Sequence, residues 1–332
     1  MLPWPGTSEG NVHDIARTVP SPDASLVAGL AARDLRWLAD AYEQAQRVRV
    51  DTGERIRAIL QGRDARRDVT SDVPDPERVL AAIRKGEEDG PVPLLGRTFR
   101  RHAEEERELQ RAMREAVATH PAWPWLSRVK GVGVTLAAKL LARLDVTRAP
   151  APSSFWAYCG LATVPGIEYR CATCGLRASF PERYRVKGTH SRPGTSHPCD
   201  GSLVPHRGPE TGIRVAQPRP AAGERAAYDM YAKKVCYLIG VSFLRSRSTY
   251  GAYYRTQRER MREERPGWTQ GRIHFAALRK TEKLFLAHLW LVWRTALALP
   301  TTAPYAHAVL GRDEYFPPEA MIENEAIQDV EP

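Results

Sequence analysis

The sequence predicts a mainly α fold: a helical bundle containing a helix-hairpin-helix, interrupted by a small zinc-ribbon-like insertion. Three observations lead there. Apolar residues recur at helical spacing through long stretches on either side of the middle of the chain. A Gly-x-Gly turn, Gly131 to Gly133, joins two short apolar segments. A Cys-x-x-Cys pair, Cys171 and Cys174, sits in a segment rich in proline, glycine and arginine with few apolar side chains.

With 332 residues, 42% hydrophobic and 27% charged, the chain is long enough to bury a core organised as about two units. No run reaches the roughly 20 apolar residues that cross a bilayer, and the N-terminus lacks the charged-then-apolar pattern of a signal peptide. The expectation is a cytoplasmic protein with no membrane partner. Five cysteines, an odd number, argue against a disulfide framework and suit metal binding in a reducing compartment. The net charge is +10, but residues 313–332 hold seven acidic side chains and no basic one, so taking those seven away leaves the preceding chain at +17. Such an excess attracts polyanions and favours nucleic acid as a partner.

Residues 1–25, with Pro3, Pro5, Gly6, Pro20 and Pro22, read as a disordered N-terminus. Over 26–119 the chain becomes helical. Leu26, Leu30, Leu35, Leu38, Tyr42, Ala45, Val48, Ile56 and Ile59 form one long amphipathic helix, or two meeting at Gly53. A polar stretch, Gly62 to Pro76, reads as a linker, and a further helix follows at about 77–85. Residues 97–119 are dense in arginine and glutamate around Leu109, Met113 and Val117, as in an exposed helix laced by i,i+4 pairs. Helices of that kind pair with a partner helix, which makes this a candidate region for homo-oligomerisation.

Residues 120–165 form the predicted helix-hairpin-helix unit, with Leu126 to Leu144 as its body. Gly131 and Gly133 permit the tight turn and close approach of a ligand to the backbone. The unpaired amides opening the second helix, beside Lys130, Thr135, Lys139 and Arg143, then offer a seat for a DNA phosphate without reading bases. The plainer alternative is an αα-hairpin whose glycines serve geometry alone. Phe155 to Leu161 follows as a short apolar helix stopped at Gly160, with Cys159 read as a small buried hydrophobe.

The insertion from 166 to 224 cannot order itself on so little apolar surface. Four ligands to a structural Zn²⁺ supply what is missing. Cys171-x-x-Cys174-Gly175 has the spacing of a first ribbon knuckle, and Cys199, ahead of Asp200-Gly201, is the third ligand. His190 is the expected fourth, with His197 as the alternative. Four protein ligands leave no position for a reactive water, so the metal role is structural.

From 225 to 297 helical periodicity returns. Tyr228, Tyr231, Ala232, Val235, Leu238, Ile239, Phe243 and Leu244 form one core stripe. The arginines of Thr256–Arg265 are either a solvated face or a second backbone contact. Trp268-Thr269 caps a long helix over 270–297 that carries Arg272, Arg279, Lys280 and Lys283, with His274 and His288 read as packed side chains. Residues 298–332 form an acidic, solvated tail.

The hairpin, the Phe155–Leu161 helix and the run Arg272-Ile273-His274-x-x-Ala277-x-Arg279-Lys280-x-x-Lys283, in that order, resemble the C-terminal domain of the IS-one-ten (IS-one-sixteen / IS-nine-oh-two) family of insertion-sequence transposases, over about 126–164 and 228–294. The long helix near 26–61 also looks like the helical region preceding the hairpin in that family. The resemblance implies DNA transposition or recombination, a structured guide RNA as a second ligand, and an RNase H-like, resolvase-like unit carrying metal-binding carboxylates. Residues 1–125 show no alternating strands of that kind, and Ala162-Thr163-Val164-Pro165-Gly166 stands where the family places its serine nucleophile. No catalytic residue is assigned. The expected function is a transposase-related DNA-binding protein that needs a separate catalytic subunit. A non-catalytic DNA- or RNA-binding regulator or architectural protein is the second expectation.

Overall fold

A computed structural model describes residues 24–62, 75–302 and 316–322, apart from 183, 185, 187–188, 193–194, 219 and 221. Residues 1–23 of the predicted disordered N-terminus, most of the predicted linker and most of the acidic tail lie outside the described residues, while Ala24 and Ser25 already belong to the first helix. The chain is mainly helical. It runs α1 (Ala24–Leu60), α2 (Pro76–Lys85), α3 (Pro93–Ala118), α4 (Trp123–Leu126), α5 (Val134–Leu141), a 3-10 turn (Val146–Arg148) and α6 (Pro152–Tyr158). A small sheet follows, with β1 (Thr163–Cys171), β2 (Arg177–Pro181), β3 (Leu203–Arg207) and β4 (Arg214–Ala216). Helices α7 (Met230–Arg245), α8 (Thr249–Glu264) and α9 (Gln270–Ala296) and a 3-10 turn (Pro318–Met321) complete the described order. Among the described residues no helix is long and apolar enough to cross a membrane.

Gly53 does not break α1. It is buried, and a Cβ placed there would stand 3.2 Å from the Phe99 ring, so the missing side chain lets α1 and α3 cross closely. The two helices run antiparallel, joined across their charged margins by Arg49 Nε to Glu106 Oε1 at 2.6 Å, while Arg57 reaches Glu77 on α2 at 2.7 Å. Ile56, Leu80, Ile83 and Phe99 form a satellite core where the three helices meet. The partner for the charged helix at 97–119 is thus found within the chain, in α1, and its Met113 and Val117 are fully buried.

The main core is organised around α9. Phe285 stacks against Trp125 and meets Phe243 and Tyr250 edge-on, at centroid distances of 5.9, 5.4 and 5.6 Å. Polar tips of the buried rings find backbone partners: the Trp290 indole donates to the Ala149 carbonyl at 2.7 Å, and that of Trp125 donates to the Pro318 carbonyl at 3.2 Å. Buried Arg294 donates to the carbonyls of Pro300, Val146 and Ala149. Cys159 is buried as expected of a small apolar side chain, and it hydrogen-bonds Cys236, which together with burial pushes the Cys236 thiol well up.

Thr269 caps α9 by accepting from the Arg272 amide. The two histidines of α9 are both held by tyrosines. His274 Nδ1 lies 2.5 Å from Tyr254 Oη, and His288 Nδ1 lies 2.7 Å from Tyr250 Oη. His288 Nε2 is 2.8 Å from the Phe316 carbonyl, which can only accept, so the proton sits on Nε2 and Nδ1 accepts from the tyrosine. Residues 316–322 of the predicted solvated tail are therefore docked on the core, with Met321 buried.

The sheet is antiparallel, with β1 at its centre. Its C-terminal half is paired by β2 on one edge and β3 on the other, and its first three residues pair with β4, Thr163 opposite Ala216. A bulge between Glu168 and Tyr169 shifts the β3 register.

Burial pushes His288 down to about 4. A histidine depressed in the folded state stabilises the fold above its unfolded value near 6.5, and that contribution is lost as pH falls through the folded value, because only the unfolded chain takes up the proton in between. Urea unfolding between pH 6.5 and pH 4 should show stability falling with acid, and a His288→Gln protein should lose that part of the slope, worth up to about 3 kcal/mol at the acid end. Equal slopes for the two proteins would count against the buried neutral imidazole. Glu282, pushed up to about 7 by burial, titrates in the opposite sense and is common to both proteins, so it cancels in the comparison.

Candidate metal centre

The first knuckle forms where β1 ends. The Gly175 amide donates to the Cys171 carbonyl at 3.0 Å and the Cys171 amide to the Leu176 carbonyl at 2.9 Å, with Gly175 at φ +70 reversing the chain. That turn brings Cys174 back beside Cys171. On the opposite side, the Cys199 amide donates to the His190 carbonyl at 2.8 Å, Arg192 to the His197 carbonyl at 2.9 Å, and Ser191 bridges to Pro198. This ladder sets His190 and Cys199 side by side. Gly201 closes the loop over the thiols: a Cβ there would lie 2.7 Å from Cys171 Sγ and 2.3 Å from Thr173 Oγ1, while its amide donates to Cys199 Sγ at 3.4 Å.

Four ligand atoms converge as a result. Cys171 Sγ is 3.9 Å from Cys199 Sγ, Cys174 Sγ is 3.2 Å from His190 Nε2, and all four atoms lie within 4.8 Å of one another. A tetrahedral site with Zn–S bonds of about 2.3 Å separates its sulfurs by about 3.8 Å, so the cluster has the dimensions to hold such an ion. Cys171 and Cys199 are buried while Cys174 and His190 are half-buried, so the site opens on one side only. The Cys174 and Thr173 amides aim at Cys171 Sγ and hold its thiol down to about 6, favouring the thiolate a metal requires. His190, not His197, completes the set; His197 is exposed and its carbonyl is engaged in the ladder.

The hairpin segment has a different geometry from the outward-facing seat expected of it. Gly131, at φ +96, packs against α7, where a Cβ would stand 2.7 Å from Ser246 Oγ and 3.2 Å from the Phe243 ring. Gly133 is the extended N-cap residue of α5, and Thr135 Oγ1 accepts from Gln110 of α3 at 3.3 Å. Lys139 is buried, with Nζ 2.7 Å from Glu43 Oε1 and 4.7 Å from the centre of the Tyr42 ring. Arg143 pairs with Asp40 and lies 4.4 Å from the Tyr231 ring. Burial alone would raise the Glu43 carboxyl, but the ammonium groups of Lys139 and Lys234 outweigh it and hold it below the usual range. Both of these cations therefore face carboxylates of α1, and they clamp that helix to the core. Lys130 remains on the exposed side of the turn.

No protein-family model matches this chain, and no curated protein matches it.

Two measurements check these assignments. Elemental analysis of the purified protein should return about one metal ion per chain, and Cys171→Ser should release most of it; retention of full metal by the variant would refute the centre. For the clamp, Lys139→Met should destabilise the fold by about 3 kcal/mol because Glu43 is left without its buried partner, and adding Glu43→Gln should restore much of the loss. A double variant no more stable than the single one would show that the pair is not coupled.

Proposed function

We propose that the chain is a zinc-bearing, transposase-related DNA-binding protein that grips the phosphodiester backbone and acts in transposition or recombination with a separate catalytic subunit. The observation that carries this reading is the Cys171/Cys174/His190/Cys199 cluster, set in a ribbon that is basic outside and nearly coreless inside. Three thiols and one imidazole at tetrahedral separations suit Zn²⁺ better than the harder divalent ions, and four protein ligands make its role structural.

A metal-closed ribbon of this kind presents its sheet rigidly. Arg170 on β1 lies directly opposite Arg177 on β2, both exposed, and Arg207 extends from β3. Like charges placed opposite each other on a sheet repel, and a polyanion relieves that repulsion. The chain's +10 charge supplies the long-range attraction. The resemblance of the helical body to transposase C-terminal domains supplies the process, and leaves strand cleavage to a resolvase-like partner.

Binding of a labelled 30-base-pair duplex should be insensitive to sequence and strongly salt-dependent, with a slope of log affinity against log salt of about −3 or steeper, as for three or more phosphate contacts. Affinity indifferent to salt would remove the backbone-contact reading. Adding Mg²⁺ to the protein with supercoiled DNA should produce no cutting; nicking by the purified chain would replace the two-subunit reading with an autonomous enzyme.

A further inference from the structure

Charge is distributed very unevenly among the helices. In α3, six arginines are matched by five glutamates, and in α8 four arginines by three glutamates. In α9 five basic residues face a single acid, Glu282, which is buried against Gly240 of α7, and burial raises its carboxyl to about 7. Of those five, Arg294 is buried on backbone carbonyls and Lys280 donates to Gln257. The remaining three, Arg272, Arg279 and Lys283, lie with Phe275 at positions i, i+7, i+11 and i+3. At 3.6 residues per turn these four span an arc of about 80° and a length of about 16 Å.

The stripe continues off the helix at both ends. At one end the Arg272 guanidinium lies 4.1 Å from the Trp268 ring, with Arg265 at 5.7 Å from the same ring. At the other, Lys283 Nζ lies 4.5 Å from the ring of Trp156, whose indole donates to the Lys283 carbonyl. Beyond it comes Arg214 at the root of the ribbon, fixed by donation from Nε to Thr163 Oγ1 at 2.9 Å, while Lys233 of α7 lies over the Tyr228 ring at 4.3 Å and within electrostatic reach of Glu282. None of Arg272, Arg279, Lys283, Arg214 and Lys233 has a carboxylate within ion-pair distance among the described residues. The Lys283 ammonium is held below its usual range by burial and then by the charges of Arg279 and Arg214, which shows how closely the like charges are gathered. Along one edge of the stripe, between Arg272 and Arg279 in height, stands Phe275, 54% exposed, with its ring edge-on to His274 at 5.0 Å.

We infer that the face of α9 from Arg272 to Lys283, extended by Arg214 of the ribbon root, is a track for a single strand of nucleic acid, with phosphates on the cations and a base on Phe275. Glu282 acts on Arg279 and Lys233 but is a single carboxyl among five cations, so the gathered like charges still repel one another, and a ligand carrying regularly spaced negative charges repays that cost. At 3.4 Å per nucleotide of a helical strand, 16 Å corresponds to about five nucleotides. An exposed phenyl ring between cations fits unpaired bases, since every base offers a face for stacking, whereas a duplex keeps its base faces inside. The track needs none of the hairpin residues. It rests on the nucleic-acid reading above and narrows that reading to one surface.

The test is fluorescence anisotropy on the zinc-loaded full chain with three probes: a 15-nucleotide oligothymidylate, a 15-nucleotide oligouridylate and a 15-base-pair duplex. The double variant Arg279→Gln, Lys283→Gln should weaken strand binding at least tenfold and make the salt slope shallower by about two, one for each phosphate contact. Phe275→Ala, at an exposed site that leaves the fold intact, should weaken it about tenfold with the salt slope unchanged. The stronger of the two single-strand probes identifies DNA or RNA as the strand. Variants that melt like the unmodified chain, keep their zinc and bind the strand as well as it does would overturn the track while leaving the nucleic-acid reading standing. An unmodified chain that binds none of the probes sinks that reading itself, and one that prefers the duplex, with the loss in both variants confined to duplex, overturns the single-strand assignment.

Discussion

Burial of aromatic rings along the inner side of α9 is the constraint on which the remaining packing depends. Phe285 alone touches rings from α4, α7 and α8. The indoles and hydroxyls that come with such rings cannot be buried without partners. Each therefore draws a particular carbonyl toward it: Ala149 to Trp290, Pro318 to Trp125, the Lys283 carbonyl to Trp156, and Phe316 to Tyr250 through His288. Those hydrogen bonds dictate where the turn after α5, the segment 316–322 and α6 must lie. A helix so committed on one side is free to be polar only on the other, and that outer side is where Arg272, Arg279 and Lys283 stand.

Much of the helical body was readable from residue spacing, because an apolar side chain every three or four positions has few other ways to be buried. The candidate ligands were readable for a different reason: Cys171, Cys174 and Cys199 lie in a stretch with few apolar residues, where cysteines at knuckle spacing stand out as a cluster that could hold a metal ion. His190 was the expected fourth ligand on spacing, with His197 as the alternative, and the ladder from Ser191 to Pro198 is what brings it beside Cys199. The strands themselves were hidden, since β1 to β4 show no clean alternation of buried and exposed positions. Lys139 and Arg143 looked outward-facing because local periodicity places them near Thr135. Their partners, Glu43 and Asp40, are 96 and 103 residues away, and no local pattern reports an ion pair over that separation.

Electrostatically the chain is divided. The pair α1 and α3 sets twelve arginines against ten carboxylates, with Arg49 meeting Glu106 within the pair, Arg57 meeting Glu77 of α2, and Glu43 and Asp40 meeting Lys139 and Arg143 at α5. The excess of positive charge is larger on α9, where five basic residues stand against the single acid Glu282, and Arg214 at the root of the ribbon adds to it. A surface of this sort focuses an attractive field in one direction, so a polyanion approaching the molecule is oriented before it makes contact.

The root of the ribbon has a further consequence. Thr163 and Ala216 are partners on a single antiparallel rung, and the next amide, that of Gln217, donates to the Ala162 carbonyl. The chain thus departs from the helical body and re-enters it through one doorway a strand spacing wide, about 5 Å. Everything between those two residues is a graft on a single stem. Its length can change, provided the metal ligands and Arg214 are kept, while the helices on either side hold the same anchor points.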